Sequence, residues 1–461
     1  MDRTTPRTPC HAQSPRPLPF ADAFREHLSS DDLDHAIAAE GIRFRDRLFT
    51  PTVTFWTFFS QVFHAGASCR QALIRLLAAR LPTASGEAPA FHTGTYCKAR
   101  QRLPESLLTR LARLVADRVE AAVTHWNWNG HAVKLVDGTT VSLPDTPANQ
   151  KEFPQQKNQK PGVGFPLARL VAILGLASGC LLRTALAPWS GKGKGEGSLL
   201  AGMLDEFRPQ DLLVGDSYYS VYWLLASLVG RQADYVGHLG STRKADYRRG
   251  RRLGPTDRVV VWHKPPKKQP GLSQAAWDAL PATLDVRRLR VAVDRPGFRT
   301  KVLHLVTTLL DVKRYSKADL AVLYRRRWQV ELHFRAMKAD MELGVLRCKS
   351  PAMIRKEIAV HAVVYNAVRA VMGHAGVRVK REAYRLSFTA AREAIEAFAP
   401  PLSDPVQRER ALAAMLELIG SQEVDERPNR VEPRVLKRRP KDCKYMTKPR
   451  DQYPRVTKTS A

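Results

Sequence analysis

Apolar residues recur at helical spacing through the N-terminal part of the chain. Phe20-Ala21-Asp22-Ala23-Phe24, Ala72-Leu73-Ile74-Arg75-Leu76-Leu77 and Leu107-Leu108-x2-Leu111-x2-Leu114-Val115 predict helices between Phe20 and about Asn127. From about His131 the pattern changes to strands, at 132–143, 168–175 and 180–187, with Ala177-Ser178-Gly179 as a hairpin turn between the last two. A helix beginning near Gly197-Ser198-Leu199, a short buried strand at 212–216 and a helix from Ser220 to about Leu228 follow.

Three strands, a helix, a strand and a helix are the order of an α/β, ribonuclease H-like core. Arg258-Val259-Val260-Val261-Trp262, and the pair 289–293 with 301–306 joined through Asp294-Arg295-Pro296-Gly297, predict a β-rich insertion at about 238–312. Beyond it, Leu323, Val330, Phe334, Met337 and Met341 form one apolar stripe on a single helix from Lys317 to about Glu342, and residues 350–420 continue helical. The predicted organisation is a disordered tail at 1–18, a helical DNA-binding domain at 19–128, a catalytic domain at 129–345, a helical region at 346–426 and a basic tail at 427–461. From Arg427 to Lys458 that tail holds twelve Lys or Arg against three acids, with prolines at 428, 433, 440, 449 and 454.

Charge narrows the partner class. Lys and Arg outnumber Asp and Glu by 74 to 44, a formal charge of +30 over 461 residues, which points to a polyanion. Basic residues such as Arg70, Arg75, Lys98, Arg100 and Arg102 punctuate the N-terminal helices, as recognition of DNA ends would require. Six cysteines, without Cys-x2-Cys or Cys/His ligand spacing, argue against a zinc module or disulfide framework and for a reducing, cytoplasmic setting. The N-terminus does not resemble a secretory signal, and the longest apolar stretch, Leu170 to Leu182, is too short to span a bilayer.

Candidate chemistry rests on three carboxylates. Lys134-Leu135-Val136-Asp137-Gly138-Thr139-Thr140 places Asp137 within a strand, and Leu212-Leu213-Val214-Gly215-Asp216 places Asp216 at the end of one, facing the crevice where ligands collect in such sheets. The third, Glu331, lies in Tyr324-x2-Arg327-x3-Glu331-x6-Lys338. At about 100° per residue these four side chains fall within roughly 60° on one helix stripe. A carboxylate among cations suits a metal held beside a phosphate.

With these residues the chain resembles the DDE transposases of the insertion-sequence-4 type, whose signature is Tyr-x2-Arg-x3-Glu-x6-Lys on the last catalytic helix. The resemblance runs from about Asp137 to Lys338 and includes Asp137-Gly138-Thr139-Thr140 and Arg327-Trp328-x2-Glu331. One departure is Asp216-Ser217-Tyr218-Tyr219, where the family commonly has glycine at the position of Tyr218.

The resemblance implies a cut-and-paste enzyme that binds the inverted-repeat ends of its element, nicks with water, attacks with the released 3′-hydroxyl through a hairpin and joins the ends to target DNA. Asp137, Asp216 and Glu331 would be catalytic and would share two Mg2+ ions about 3.5–4 Å apart, with Mn2+ able to substitute. Arg327 and Lys338 would contact phosphates beside the cut and Tyr324 a phosphate or sugar. The family's flipped base, held on tryptophan, points to Trp262 in the insertion, next to Lys264, Lys267 and Lys268, and to Trp328 as a second candidate. Synapsis of two ends implies a homodimer on DNA, with no membrane partner. The competing readings are a catalytically inactive end-binding protein or inhibitor, which would have lost an acid, and a structure-selective metal-dependent nuclease, which would lack the basic flanks.

Blander readings apply to several residues. Arg327 and Glu331 form an i,i+4 pair worth a few tenths of a kcal/mol. Asp145, Asp211, Asp340 and Glu342 read as solvated acids, Trp262 as a core residue of its strand, His333 as a neutral surface histidine ahead of a group supporting Glu331, and Glu196 as a helix-capping acid ahead of one supporting the metal ligands. Gly191-Lys192-Gly193-Lys194-Gly195-Glu196-Gly197-Ser198 lacks the order of a phosphate-binding loop, so no ATP site follows.

Overall fold

The computed structural model describes residues 18–45, 47–80, 92–240, 242–293, 302–424 and 445–453. The N-terminal tail up to residue 17, the Asp294–Gly297 connection and most of the basic C-terminal tail lie outside the described residues.

Nine strands form one sheet. They are β1 (Ala132–Ser142), β2 (Leu167–Gly175), β3 (Leu181–Pro188), β4 (Asp211–Gly215), β5 (Asp234–His238), β6 (Arg251–Gly254), β7 (Asp257–His263), β8 (Thr283–Ala292) and β9 (Val302–Thr307), in the order β3-β2-β1-β4-β5-β9-β8-β7-β6. β1, β4 and β5 are parallel, and every other neighbouring pair is antiparallel. β4 is buried along its whole length, as a central parallel strand covered on both faces should be, which explains its unbroken apolar run.

The insertion is not a separate lobe. β9 pairs with β5 from Val236↔Thr307 to His238↔Leu305, so β6 to β9 extend the main sheet at one side. The strand that makes the join, β5, is only five residues long, and no run of apolar alternation announces it in the sequence.

The flanking helical regions likewise share one hydrophobic core with the sheet. The 28-residue helix Pro351–Arg378 packs against Glu105–Ala122, Pro51–Phe63 and β3. Asn366 on that helix fixes the layering: its Oδ1 accepts from Leu181 N at 2.8 Å, while Nδ2 donates to Leu181 O at 2.9 Å and Ala112 O at 3.0 Å. Leaving such a fully buried amide unsatisfied would cost about 1–3 kcal/mol per group. Among the described residues no helix is long and apolar enough to cross a membrane.

The helix expected from Lys317 to Glu342 is interrupted. It runs as Lys317–Arg325, a 3-10 turn Arg326–Trp328, Gln329–Arg335 and a π turn Ala336–Asp340. Its apolar stripe of Leu323, Val330, Phe334, Met337 and Met341 is buried as expected. The π turn takes an extra residue, so the 100° period stops holding beyond Arg335.

Candidate active site

Strand register brings the two aspartates side by side. Leu135 is level with Val214 in the parallel β1–β4 pair, so two residues further on Asp137 and Asp216 stand at the same height, where β4 has just ended. Each is oriented by a short-range bond: Gly138 N donates to Asp137 Oδ1 at 2.8 Å, and Tyr218 N to Asp216 Oδ1 at 2.8 Å. The second bond also accounts for Tyr218 where glycine is common. The turn is closed by the aspartate side chain, Tyr218 is not among the residues of positive φ, and its hydroxyl accepts from Gly197 N at 3.3 Å.

Glu331 arrives from the interrupted helix, and the start of that helix is anchored by the sheet extension. Arg287, fully buried on β8, grips Asp257 of β7 through Nε at 3.0 Å and Nη2 at 2.6 Å. Its Nη1 donates to Tyr315 O at 2.7 Å, one residue before the N-cap Ser316. The Tyr315 hydroxyl lies 2.7 Å from His131 Nε2, and His131 Nδ1 lies 3.1 Å from Gln210 O, which ties the helix to the starts of β1 and β4.

Arg327 sits among the acids. Its Nη2 is 3.3 Å from Glu331 Oε1 and its Nη1 3.9 Å from Asp137 Oδ2. Asp216 and Tyr324 are also close enough to act on its charge. The Asp137 carboxyl is pushed up to about 6, first by burial, then by the nearby Asp216 and Glu196 carboxylates, against the Gly138 N–H and the Arg327 cation. More negative charge gathers here than one guanidinium balances.

Glu196 belongs to this cluster, where its sequence position favoured a helix cap over a place beside the metal ligands. It begins the helix Glu196–Ala201, but the N-cap is Gly195 and no side-chain cap bond forms. Its carboxylate instead lies against Gly138, and its Oε2 accepts from Tyr219 OH at 3.1 Å. Burial and then Glu196, Asp137 and Asp216 hold the Tyr219 phenol well above its ordinary value, so it stays a donor. The available signal was the glycine after Asp137, since glycine inside a strand marks close approach by another group.

The other expected site residues divide. Tyr324 lies beside Arg327 and Asp216, and burial followed by Asp216 raises its phenol. Trp328, on the 3-10 turn next to Arg327, is 50% exposed. Lys338 falls in the π turn, where burial alone lowers its ammonium and Gly344 packs on its side chain. The stripe therefore delivers Tyr324, Arg327 and Glu331 together, and no contact of Lys338 with the acids is seen.

Trp262 is buried. It is 4% exposed on β7, opposite Leu284, and the Arg243 guanidinium covers its ring at 3.8 Å from the centroid, so no face is open to a base. His333 is neutral but buried, not superficial: burial and then Arg369 hold it well below its usual value, and its Nδ1 meets Tyr365 OH at 2.9 Å.

Two aspartates, one on a strand and one just beyond the next, and a helix-borne glutamate gathered around an arginine are the kind of donor set that metal-dependent phosphoryl-transfer enzymes use. The transposase DDE domain family matches residues 128–367, more than half of the chain, and the chain belongs to that family. It is 26% identical over 441 residues, covering 92% of this chain and 93% of the relative, to the transposase InsG for insertion sequence element IS4 of Escherichia coli (strain K12). Among solved structures, the piggyBac transposase synaptic complex with hairpin DNA aligns over 90% of this chain and 88% of its own, at 9% identity and a TM-score of 0.42. Membership of that family makes the chain a DDE transposase, a metal-dependent enzyme that cleaves DNA and transfers strands.

Proposed function

We propose that Asp137, Asp216 and Glu331 are the catalytic carboxylates and hold two Mg2+ ions, with Mn2+ able to replace them. One observation carries the reading: three acids distant in sequence meet around the Arg327 guanidinium. The residues fit such ions. The donors are all carboxylate oxygens, the preference of Mg2+ and Mn2+, and burial first, then the Asp216 and Glu196 carboxylates, push Asp137 up to about 6. When bound, the ions would activate the attacking oxygen and stabilise the leaving one.

The protein's own groups supply the rest. Arg327, between Asp137 and Glu331, is placed to take a phosphate by two oxygens. Tyr324 lies where it can hold the adjacent phosphate or sugar. Trp328, exposed beside Arg327, is the better-placed platform for a flipped base. β1 to β5, in the order β3-β2-β1-β4-β5, form the ribonuclease H-like core, and β6 to β9 are its insertion.

The substrate of this reading is the pair of inverted-repeat ends of an insertion sequence, joined through a hairpin stage to target DNA by a homodimer. A net charge of +30 supports a DNA partner. The deciding experiment is incubation of the purified chain with its element's end DNA and Mg2+. Nicks at the element boundary followed by hairpin ends are expected, and intact DNA would overturn the reading.

A further inference from the structure

We propose that Glu196 is a fourth carboxylate of the metal centre, holding one ion jointly with Asp137. This rests on the reading that Asp137, Asp216 and Glu331 hold the ions.

Three observations meet on this side chain. Gly138, the residue after Asp137, leaves room for it: a Cβ there would stand 2.3 Å from Glu196 Cδ and 2.5 Å from Oε1. Glycine leaves room for the carboxylate to lie against β1 at that point, and glycine in a strand is otherwise unfavourable. Tyr219 OH fixes Oε2 at 3.1 Å, and Tyr219 is held in the same turn as Asp216, its N–H bonded to Asp216 O at 3.2 Å. The carboxylate is thereby aimed by the segment that carries the second aspartate.

The remaining oxygen, Oε1, receives no hydrogen bond from the described residues. Arg169 Nε approaches only to 3.9 Å, its guanidinium is stacked over Trp189 at 4.5 Å, and its Nη1 is committed to Lys194 O at 3.0 Å. That oxygen is free of a protein donor and open to an ion or water. Turned toward the neighbour of Asp137, it is placed as an ion ligand would be. A helix cap would have spent this carboxylate on its own backbone, and it does not.

The test is Mn2+ titration of the purified full-length chain, read by the electron paramagnetic resonance of free Mn2+, for wild type, Glu196→Gln, Glu196→Asp, Asp137→Asn and Asp216→Asn. Thermal melting and gel shift on end DNA in EDTA accompany each protein. Glu196→Gln keeps the volume and the Tyr219 contact, so it is expected to melt and bind DNA as wild type does. Its affinity for one Mn2+ is expected to fall about 10- to 100-fold, with Glu196→Asp in between and cleavage partly restored by excess Mn2+. Uptake weakened by Asp137→Asn and Asp216→Asn but unchanged in both Glu196 variants overturns the role of Glu196 alone. Uptake unchanged in all four, or absent from wild type in millimolar Mn2+, overturns the underlying metal reading and this proposal with it.

Discussion

The Arg327 guanidinium stands 3.9 Å from the Asp137 carboxylate, on a different element from it and 190 positions later in the chain, while keeping its helical partner Glu331 at 3.3 Å. An i,i+4 pair alone would be a surface ornament worth a few tenths of a kcal/mol. The link to Asp137 makes it a bridge across the site. Arg327→Ala is expected to lower strand cleavage about 100-fold or more, the cost of removing one aligned donor from a charge-developing centre. Binding of end DNA should fall only a few-fold, its salt slope by about one unit. Arg327→Lys should recover little, because a point charge cannot bridge two oxygens. Equal losses of binding and cleavage would make Arg327 a docking residue.

Asp137→Asn, Asp216→Asn and Glu331→Gln are each expected to abolish cleavage and leave end binding within a few-fold. They remove charge from a crowded acidic cluster, so the metal-free variants should melt no lower than wild type, and Asp137→Asn somewhat higher, since burial first and then Asp216 and Glu196 oppose its ionisation. Mg2+ should then stabilise wild type more than any variant. Cleavage retained by one variant would take that residue out of the site.

Trp262 and Trp328 separate by location. Trp262→Ala empties a buried site on β7 and should cost about 3–5 kcal/mol of stability. Trp328→Ala, at an exposed ring, should leave melting unchanged, spare first nicking and slow hairpin formation roughly 5- to 150-fold, the loss of about 1–3 kcal/mol of base stacking. Nicking and hairpin formation falling together in Trp328→Ala would remove its base-holding role.

What the sequence disclosed and what it hid divide by range. Asp137 on its strand, Asp216 at the end of its own and the buried stripe of Leu323, Val330 and Phe334 follow from periodicity within a few residues of each, and those elements form where expected. The union of β6 to β9 with the main sheet depends on β5 meeting β9, a pairing some 70 residues apart that no local pattern encodes. Lys338 left the stripe because a π turn intervenes, set by packing and not by propensity. Val259-Val260-Val261-Trp262 is apolar at every position, and with Val259 and Trp262 both buried the two-residue period slips within β7, so no alternation told which face the ring takes. Glu196 needed the space above Gly138, visible only once two distant segments come together.

At the end of the sheet away from the aspartates, Lys134 on β1 is buried, with Nζ 2.6 Å from Asp211 Oδ2 and 3.6 Å from Glu206 Oε1, and it donates to Glu206 O at 2.6 Å. Removing this one cation leaves the buried Asp211 carboxylate without its ion partner, while Glu206 keeps Arg113. Lys134→Ala is expected to destabilise the protein by about 3–5 kcal/mol, read as a lower urea midpoint. Lys134→Ala, Asp211→Ala together should lose less than the two single losses added, because the deserted charge is gone. Strict additivity would show that the pair is not coupled.

His27 gives the fold a pH dependence of definite sign. Its imidazole is lowered from 6.5 to about 4 by burial, then by His374 and Arg118. The groups facing it are His374, which pairs with Glu26 at 3.0 Å, and Arg118, which donates to His27 O at 3.1 Å and pairs with Asp32 at 2.6 Å. Between pH 6.5 and 4 the unfolded chain binds a proton at this position and the folded chain does not, so stability must fall as pH drops through that window and not change further below it. The side chain packs between the first helices and the end of Pro351–Arg378. Up to about 1–2 kcal/mol is at stake once partial solvent access is allowed for. His27→Gln keeps a similar shape without the titration and should flatten the melting temperature between pH 6.5 and 4 relative to wild type, with no change in Mg2+-dependent cleavage at neutral pH. Parallel melting profiles for the two proteins across that window would show that His27 is protonated as readily in the fold as outside it.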